Sequence, residues 1–155
     1  MLRDKEAFPT GSYAEALASI NEADFTRLSE ILPTAFDNIS VLQLVEFLPI
    51  VIEADSADVI VSRDDEGKIA SVIVVNVDYG AGRVRGRIDD VATHQDSLRQ
   101  GHAAAALDFA LDWFRMRDVR RITLTSNNSR LPAHKLYESR GFMIHDTNFF
   151  QLDLQ

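Results

Sequence analysis

The chain has 155 residues, 46% of them hydrophobic and 26% charged, enough for one globular domain with a sizeable core. A net charge of −8 argues against nucleic acid or an anionic membrane as the main partner, and the absence of cysteine excludes disulfides, thiolate metal sites and a thiol nucleophile. With a charged start at Met1 and no apolar run of ~18 residues, no signal peptide or membrane span is read and a cytoplasmic location is expected.

Residues 1–12 read as an irregular arm. From Ala23 to about Leu32, Phe25, Leu28, Ile31 and Leu32 recur at helical spacing, with Asn21 or Asp24 as cap and Pro33 ending or kinking the helix. Ser40 caps a second helix that carries Val41, Leu44, Val45 and Leu48 and is expected to break near Pro49. Asp58 to Ser62 is a short β-run, Asp64 to Gly67 a turn, and Ile69 to Tyr79 a long strand rich in β-branched residues. Gly80-Ala-Gly82 closes a hairpin whose return strand is Arg83 to Thr93. Next come a helix to about Arg117 with Leu107, Ala110, Leu111 and Phe114 on one face, a strand from Arg121 to Thr125, and a helix from Arg130 to Arg140 ended by Gly141. Alternation predicts a last strand at Phe149 to Leu154. A strand–helix–strand crossover inside a largely antiparallel sheet makes the fold class α+β.

The segment Leu98-Arg99-Gln100-Gly101-His102-Ala103-Ala104 lies where the return strand turns through one glycine into a helix. Such a turn presents free backbone N–H groups at a positive helix end, and small residues let a bulky phosphate ligand approach. An ordinary alanine-rich helix start would look the same.

Three motifs together resemble the GNAT superfamily of acyl-CoA-dependent N-acyltransferases, over nearly everything from Asp58 onward. Leu98-Arg-Gln-Gly101-His-Ala103 is similar to the family's pyrophosphate loop, Gln/Arg-x-x-Gly-x-Gly/Ala, departing from it at Leu98. Val91-Ala92-Thr93 stands where the family's strand bonds the pantetheine arm through its backbone. Thr125 to Phe142, with Asn127, Asn128, Ala133, Tyr137 and Gly141-Phe142, resembles the second coenzyme motif.

The resemblance implies a GNAT-like mixed, mostly antiparallel sheet flanked by helices, with a strand–helix–strand coenzyme-binding core, in a single domain spanning 1–155. It implies acetyl-CoA as cosubstrate, no metal, direct transfer to a primary amine, a small molecule being preferred, and a homodimer. A protein N-acetyltransferase and a non-catalytic acyl-CoA-binding module are the alternatives, the second supported by Leu98. The implied coenzyme contacts are Val91, Ala92, Thr93, Leu98 through Ala104, Asn127, Asn128, Ala133 and Tyr137, with Arg99 offering a cation to a phosphate.

An alkylamine of pKa ~10 must lose a proton before attack, the oxyanion needs a donor, and the leaving thiolate benefits from a proton. By resemblance Tyr137 is the general acid and a backbone N–H between Val91 and Thr93 the oxyanion donor. Asp89 and Asp90 are both candidate bases: strict alternation groups Asp89 with Val91 and Thr93, whereas a bulge would exchange the faces. Either aspartate could instead simply pair with Arg85 or Arg87. Arg83, Arg85 and Arg87 read as a solvated basic face, and His94, His102, His134 and His145 lack the i, i+4 spacing of a helical metal pair.

Overall fold

The computed structural model describes residues 14–155; the arm expected at 1–12 lies outside them. Two compact units are present, residues up to Thr125 and residues from Ser126.

The first unit is built on a five-stranded sheet in sequential order, β1 (Ala14–Ala16), β2 (Ala57–Arg63), β3 (Ile69–Gly80), β4 (Arg83–Thr93) and β5 (Ile122–Leu124). Neighbours are antiparallel except β4 and β5, which run parallel over the three pairs Gly86–Ile122, Arg87–Thr123 and Ile88–Leu124. Parallel pairing requires a crossover, supplied by α3 (His102–Arg115). This is the mixed, mostly antiparallel α+β arrangement expected; the short β1, which lacks enough residues for a period-two signal, was not.

Helices cover both faces. α1 (Glu22–Ala35) and α2 (Val41–Glu53) place Leu28, Ile31, Leu32, Leu44, Leu48 and Ile52 against Val59, Val61, Val72, Val74 and Ala92. On the opposite face α3 brings fully buried Leu107 and Phe114 and nearly buried Trp113, each worth ~1.5–3 kcal/mol by area. The Trp113 indole donates to buried Asp58 at 2.7 Å, so that carboxylate is not left unpaired. Asn21 caps α1 through the Asp24 N–H, and Ser40 with Gln43 forms a capping box on α2.

Neither proline ends its helix. α1 continues past Pro33 to Ala35, and α2 runs through Pro49 to Glu53. The carbonyl that Pro49 cannot serve belongs to Val45, which is 58% exposed, so the lost bond falls on the wet side of α2 while Leu48 and Ile52 still bind it to the sheet.

In the second unit, α4 (Leu131–Ser139) ends as anticipated at Gly141, whose φ is +88°. Gly141 N–H donates to the Glu138 carbonyl and Phe142 N–H to the Tyr137 carbonyl, the paired bonds of a Schellman motif. The Tyr137 and Phe142 rings meet edge to face at 6.0 Å, adding the apolar contact that accompanies such an ending. The expected strand at Phe149–Leu154 does not form: residues 142–155 contain no helix or strand, and Phe149, Phe150, Leu152 and Leu154 are exposed. Alternation specifies faces, not a hydrogen-bonding neighbour, and adjacent Phe149 and Phe150 blur even the face.

Candidate active site

The sheet is interrupted where the carboxylates lie. On β3, Val74 faces Asp89 and Val72 faces Ala92, so Ile73 alone stands opposite both Asp90 and Val91. This is a β-bulge in β4, and Asp90 takes the left-handed conformation, φ +51°. Aspartate tolerates that region better than most residues, which gives Asp90 a backbone role independent of chemistry.

The bulge corrects the grouping by strict alternation. Asp89 shares the α1/α2 face with Ala92, whereas Thr93, paired with Ser71, lies on the α3 face and its hydroxyl is 2.9 Å from Ser71 Oγ. One extra residue exchanges the parity of the strand.

The two aspartates have different surroundings. Asp89 Oδ2 accepts from Arg87 Nε at 2.8 Å and from Asn76 Nδ2 at 3.0 Å, and Arg87 also lies 3.3 Å from Asp78. Asp89 is the chief influence raising the Arg87 pKa, against partial burial. No hydrogen bond or ion pair among the described residues engages the Asp90 carboxylate. Burial first, and then the charge of Asp89, push its pKa above the ordinary carboxylate range, with Arg87 opposing. A carboxylate with a raised pKa is a stronger base than an ordinary one.

Because β5 pairs with β4 only as far as Ile88, the β4 edge from Asp89 to Thr93 has no strand partner on that side among the described residues. Free N–H and C=O groups along an extended edge suit a linear ligand that carries amides. Beyond Thr93 a 3₁₀ turn at Gln95–Ser97 leads into the loop at Leu98–Gly101. Arg99 (φ +60°) and Gly101 (φ +83°) are both left-handed, and a Cβ at Gly101 would meet nothing within 4 Å. The start of α3 has no side-chain cap, so the first-turn N–H groups of His102, Ala103 and Ala104 are left without a capping partner at the positive end of the helix. Alternating left-handed residues before an uncapped helix form the type of concavity that holds phosphate oxygens. Leu98 is 54% exposed, Arg99 is exposed, and Gln100 donates from Nε2 to the Asp96 carbonyl at 3.1 Å.

In the second unit Asn127 folds the turn before α4, its Oδ1 accepting from both Ser129 N–H and Ser129 Oγ at 2.9 Å. Neither asparagine caps the helix; Arg130 occupies that position without a side-chain cap. His134 Nε2 lies 3.0 Å from the Asn127 carbonyl and braces the same turn, while no described partner engages the Asn128 side chain. Ala133 is half-buried in the first turn of α4. Tyr137 is buried, and burial raises its phenol pKa with Arg130 opposing, so it holds its proton across the neutral range.

Sequence reasoning missed Asn76, Arg27 and Asp96. Asn76 and Arg27 reach their carboxylates only through strand register or across 69 positions of chain, a separation at which no local pattern operates.

The acetyltransferase (GNAT) family model matches residues 16–142. No curated protein matches the sequence. Among solved structures, a putative acetyltransferase from Agrobacterium tumefaciens superposes with a TM-score of 0.75 at 16% identity, covering 90% of this chain and 99% of that one. An aminoglycoside 6'-N-acetyltransferase from Acinetobacter haemolyticus gives 0.70 at 14% identity, with 92% and 99% covered. A third, AAC(6')-Iy in complex with the bisubstrate analogue CoA-S-monomethyl-acetylneamine, gives 0.75 at 11% identity, with 92% and 97% covered. At these identities the likeness is one of fold.

Proposed function

Because this chain belongs to the GNAT acetyltransferase family, whose acyl donor is acetyl-CoA, we propose that it transfers the acetyl group directly to a primary amine of a small molecule. The observation that carries this reading is the coincidence, on β4 and the start of α3, of a bulged strand with an open edge and an uncapped, left-handed loop. The loop Leu98–Ala104 holds the pyrophosphate, and the Val91–Thr93 edge holds the pantetheine arm. Asn127, Asn128 and Ala133 complete the coenzyme contacts by their match to the family's second motif. Residues 1–155 then act as one acetyltransferase domain, consistent with a family match that runs across both units.

In the proposed reaction the amine nitrogen forms the new C–N bond to the thioester carbonyl as the C–S bond breaks. Asp90 takes the amine proton through water, and the ion-paired Asp89 draws in the cationic acceptor. A backbone N–H between Val91 and Thr93 stabilises the oxyanion, and Tyr137 protonates the departing thiolate. The acidic chain suits a cationic small molecule better than a polyanion. The exposed apolar residues Phe149, Phe150 and Leu152 support a homodimer, and the use of acetyl-CoA a cytoplasmic setting.

Screening amines with acetyl-CoA while following free thiol tests the activity, and calorimetry with Gly101→Val tests the coenzyme placement. Turnover with a small amine, and CoA binding lost in a folded Gly101→Val protein, are expected. Unchanged affinity in that variant refutes the placement. Tight binding without turnover on any amine favours a binding module, turnover only on peptide amines a protein N-acetyltransferase, and a monomeric mass at micromolar concentration refutes the dimer.

A further inference from the structure

The side chain that anchors the Leu98–Ala104 loop lies on another element. Arg27, on α1, has an 11% exposed side chain and holds two fixed points at once. Its Nε donates to the Ile69 carbonyl at 2.8 Å, and its Nη2 donates to Asp96 Oδ1 at 2.8 Å. Asp96 sits in the 3₁₀ turn just upstream of the loop. The same oxygen accepts from Ser97 Oγ at 2.7 Å, and the Asp96 main-chain carbonyl accepts from Gln100 inside the loop. An unbroken series of hydrogen bonds thus runs from the first residue of β3 through Arg27 and Asp96 to Gln100, one residue before Gly101.

The surroundings show how strongly this contact is built. Arg27 first, and then Ser97, hold the Asp96 carboxyl well below the usual carboxylate range. Glu30 flanks the guanidinium at 3.4 Å and also lies 3.1 Å from His94 Nε2. His94 Nδ1 lies 2.7 Å from Asp96 Oδ1 and 3.2 Å from the Asp96 N–H, two contacts that call for opposite tautomers. We take the imidazole as a flank of the turn and Arg27 as its anchor. Asp96 itself is 57% exposed, so the pair contributes little to global stability. Its consequence is positional.

We propose that Arg27 is a positioning residue for the coenzyme loop: acting through Asp96, it fixes Leu98–Ala104 to the sheet, so that affinity for the coenzyme pyrophosphate depends on a side chain of α1. This rests on the reading that the loop binds the coenzyme. A loop with two left-handed residues and no cap has many neighbouring conformations, and only an ordered one converges its N–H groups on a phosphate. Lysine cannot replace Arg27, because a single ammonium lacks the fork that reaches Ile69 and Asp96 together.

The experiment uses the full chain with CoA as the probe, comparing wild type, Arg27→Lys, Asp96→Asn and the double variant. Asp96→Asn alters an exposed group and retains shape, so it serves if Arg27→Lys fails to fold. Each single variant is expected to weaken CoA binding by about threefold to thirtyfold in calorimetry, with less than the summed loss in the double variant. In the CoA-free proteins, amide hydrogen exchange should quicken over residues 95–104 while the centre of α3 stays protected. Under turnover, KM for acetyl-CoA should rise with kcat nearly unchanged, a split that general loosening of the fold does not produce. Wild-type affinity and exchange in both single variants would overturn this proposal alone, as would weaker binding without faster loop exchange. A wild-type chain that binds no CoA would overturn the coenzyme reading and this proposal with it.

Discussion

Gly86 shows most directly how α3 is seated on the sheet. It pairs with Ile122 on β5, and its N–H donates to the Arg121 carbonyl. A Cβ placed there would lie 2.6 Å from Phe114 Cε1, 2.8 Å from Cδ1 and 3.0 Å from Val119 Cγ1. Carbon pairs rest near 3.5–4.0 Å, so Gly86→Ala forces the ring back by about 1 Å. Phe114 is fully buried and stands edge-on to Trp113 at 5.1 Å, so the displacement passes into the core. Overpacking costs ~1–3 kcal/mol, offset by ~0.5–1 kcal/mol from the lower backbone entropy of alanine in the unfolded chain. The net loss, ~1 kcal/mol at the centre of these ranges and ~2.5 kcal/mol at most, lowers Tm by roughly 2–4 °C and by no more than about 10 °C for a chain of this size. Thermal unfolding followed by circular dichroism measures it, with Gly80→Ala as control, since a Cβ there meets only Arg83, its side chain at 3.5 Å and its carbonyl oxygen at 3.8 Å, both ordinary contact distances. Phe114→Leu combined with Gly86→Ala should lose less than the two separate losses added. A Gly86→Ala protein that melts at or above the wild-type temperature would refute this account of the packing.

Two further outcomes concern the site. Folding raises the Asp90 pKa, so the folded chain keeps that proton to higher pH than the unfolded chain, and stability falls as pH climbs from about 4 through the raised value. Asp90→Asn, which also tolerates a positive φ, should therefore melt above wild type at pH 7, and that advantage should vanish near pH 3.5 in parallel melts. Tyr137→Phe keeps the contact with Phe142 but deletes the proton; turnover on an amine found by screening should fall by about 10²-fold with CoA affinity unchanged. Equal turnover would remove Tyr137 as the acid.

Much of this architecture was readable where physics is local. The β-branched run at Ile69–Tyr79, the Ser40 cap and the Gly141 ending are dictated by neighbours a few positions away, and the structure follows them. What could not be read involves partners distant in the chain. The bulge at Asp90–Val91 exists only relative to β3, Arg27 reaches Asp96 across the fold, and Phe149–Leu154 has the composition of a strand without a paired neighbour. Pro49 misleads for a related reason: whether a missing N–H ends a helix depends on which side of the helix it falls, and that is set by tertiary contacts.

The extra residue in β4 has an arithmetical consequence. Val74–Asp89 on one side of it and Val72–Ala92 on the other are both in register with β3, so a chain shortened by Asp90 alone would let Ile73 meet Val91 and complete an uninterrupted ladder. Nothing upstream or downstream would need to re-pair, and a left-handed aspartate, a conformation that costs ~1–2 kcal/mol, would be gone. The sheet has no use for the insertion; the shortened protein should be at least as stable. What it would lose is the poorly solvated carboxylate and the local turn of backbone at the open edge, so under the proposed reaction the insertion separates the demands of chemistry from those of folding at a single position.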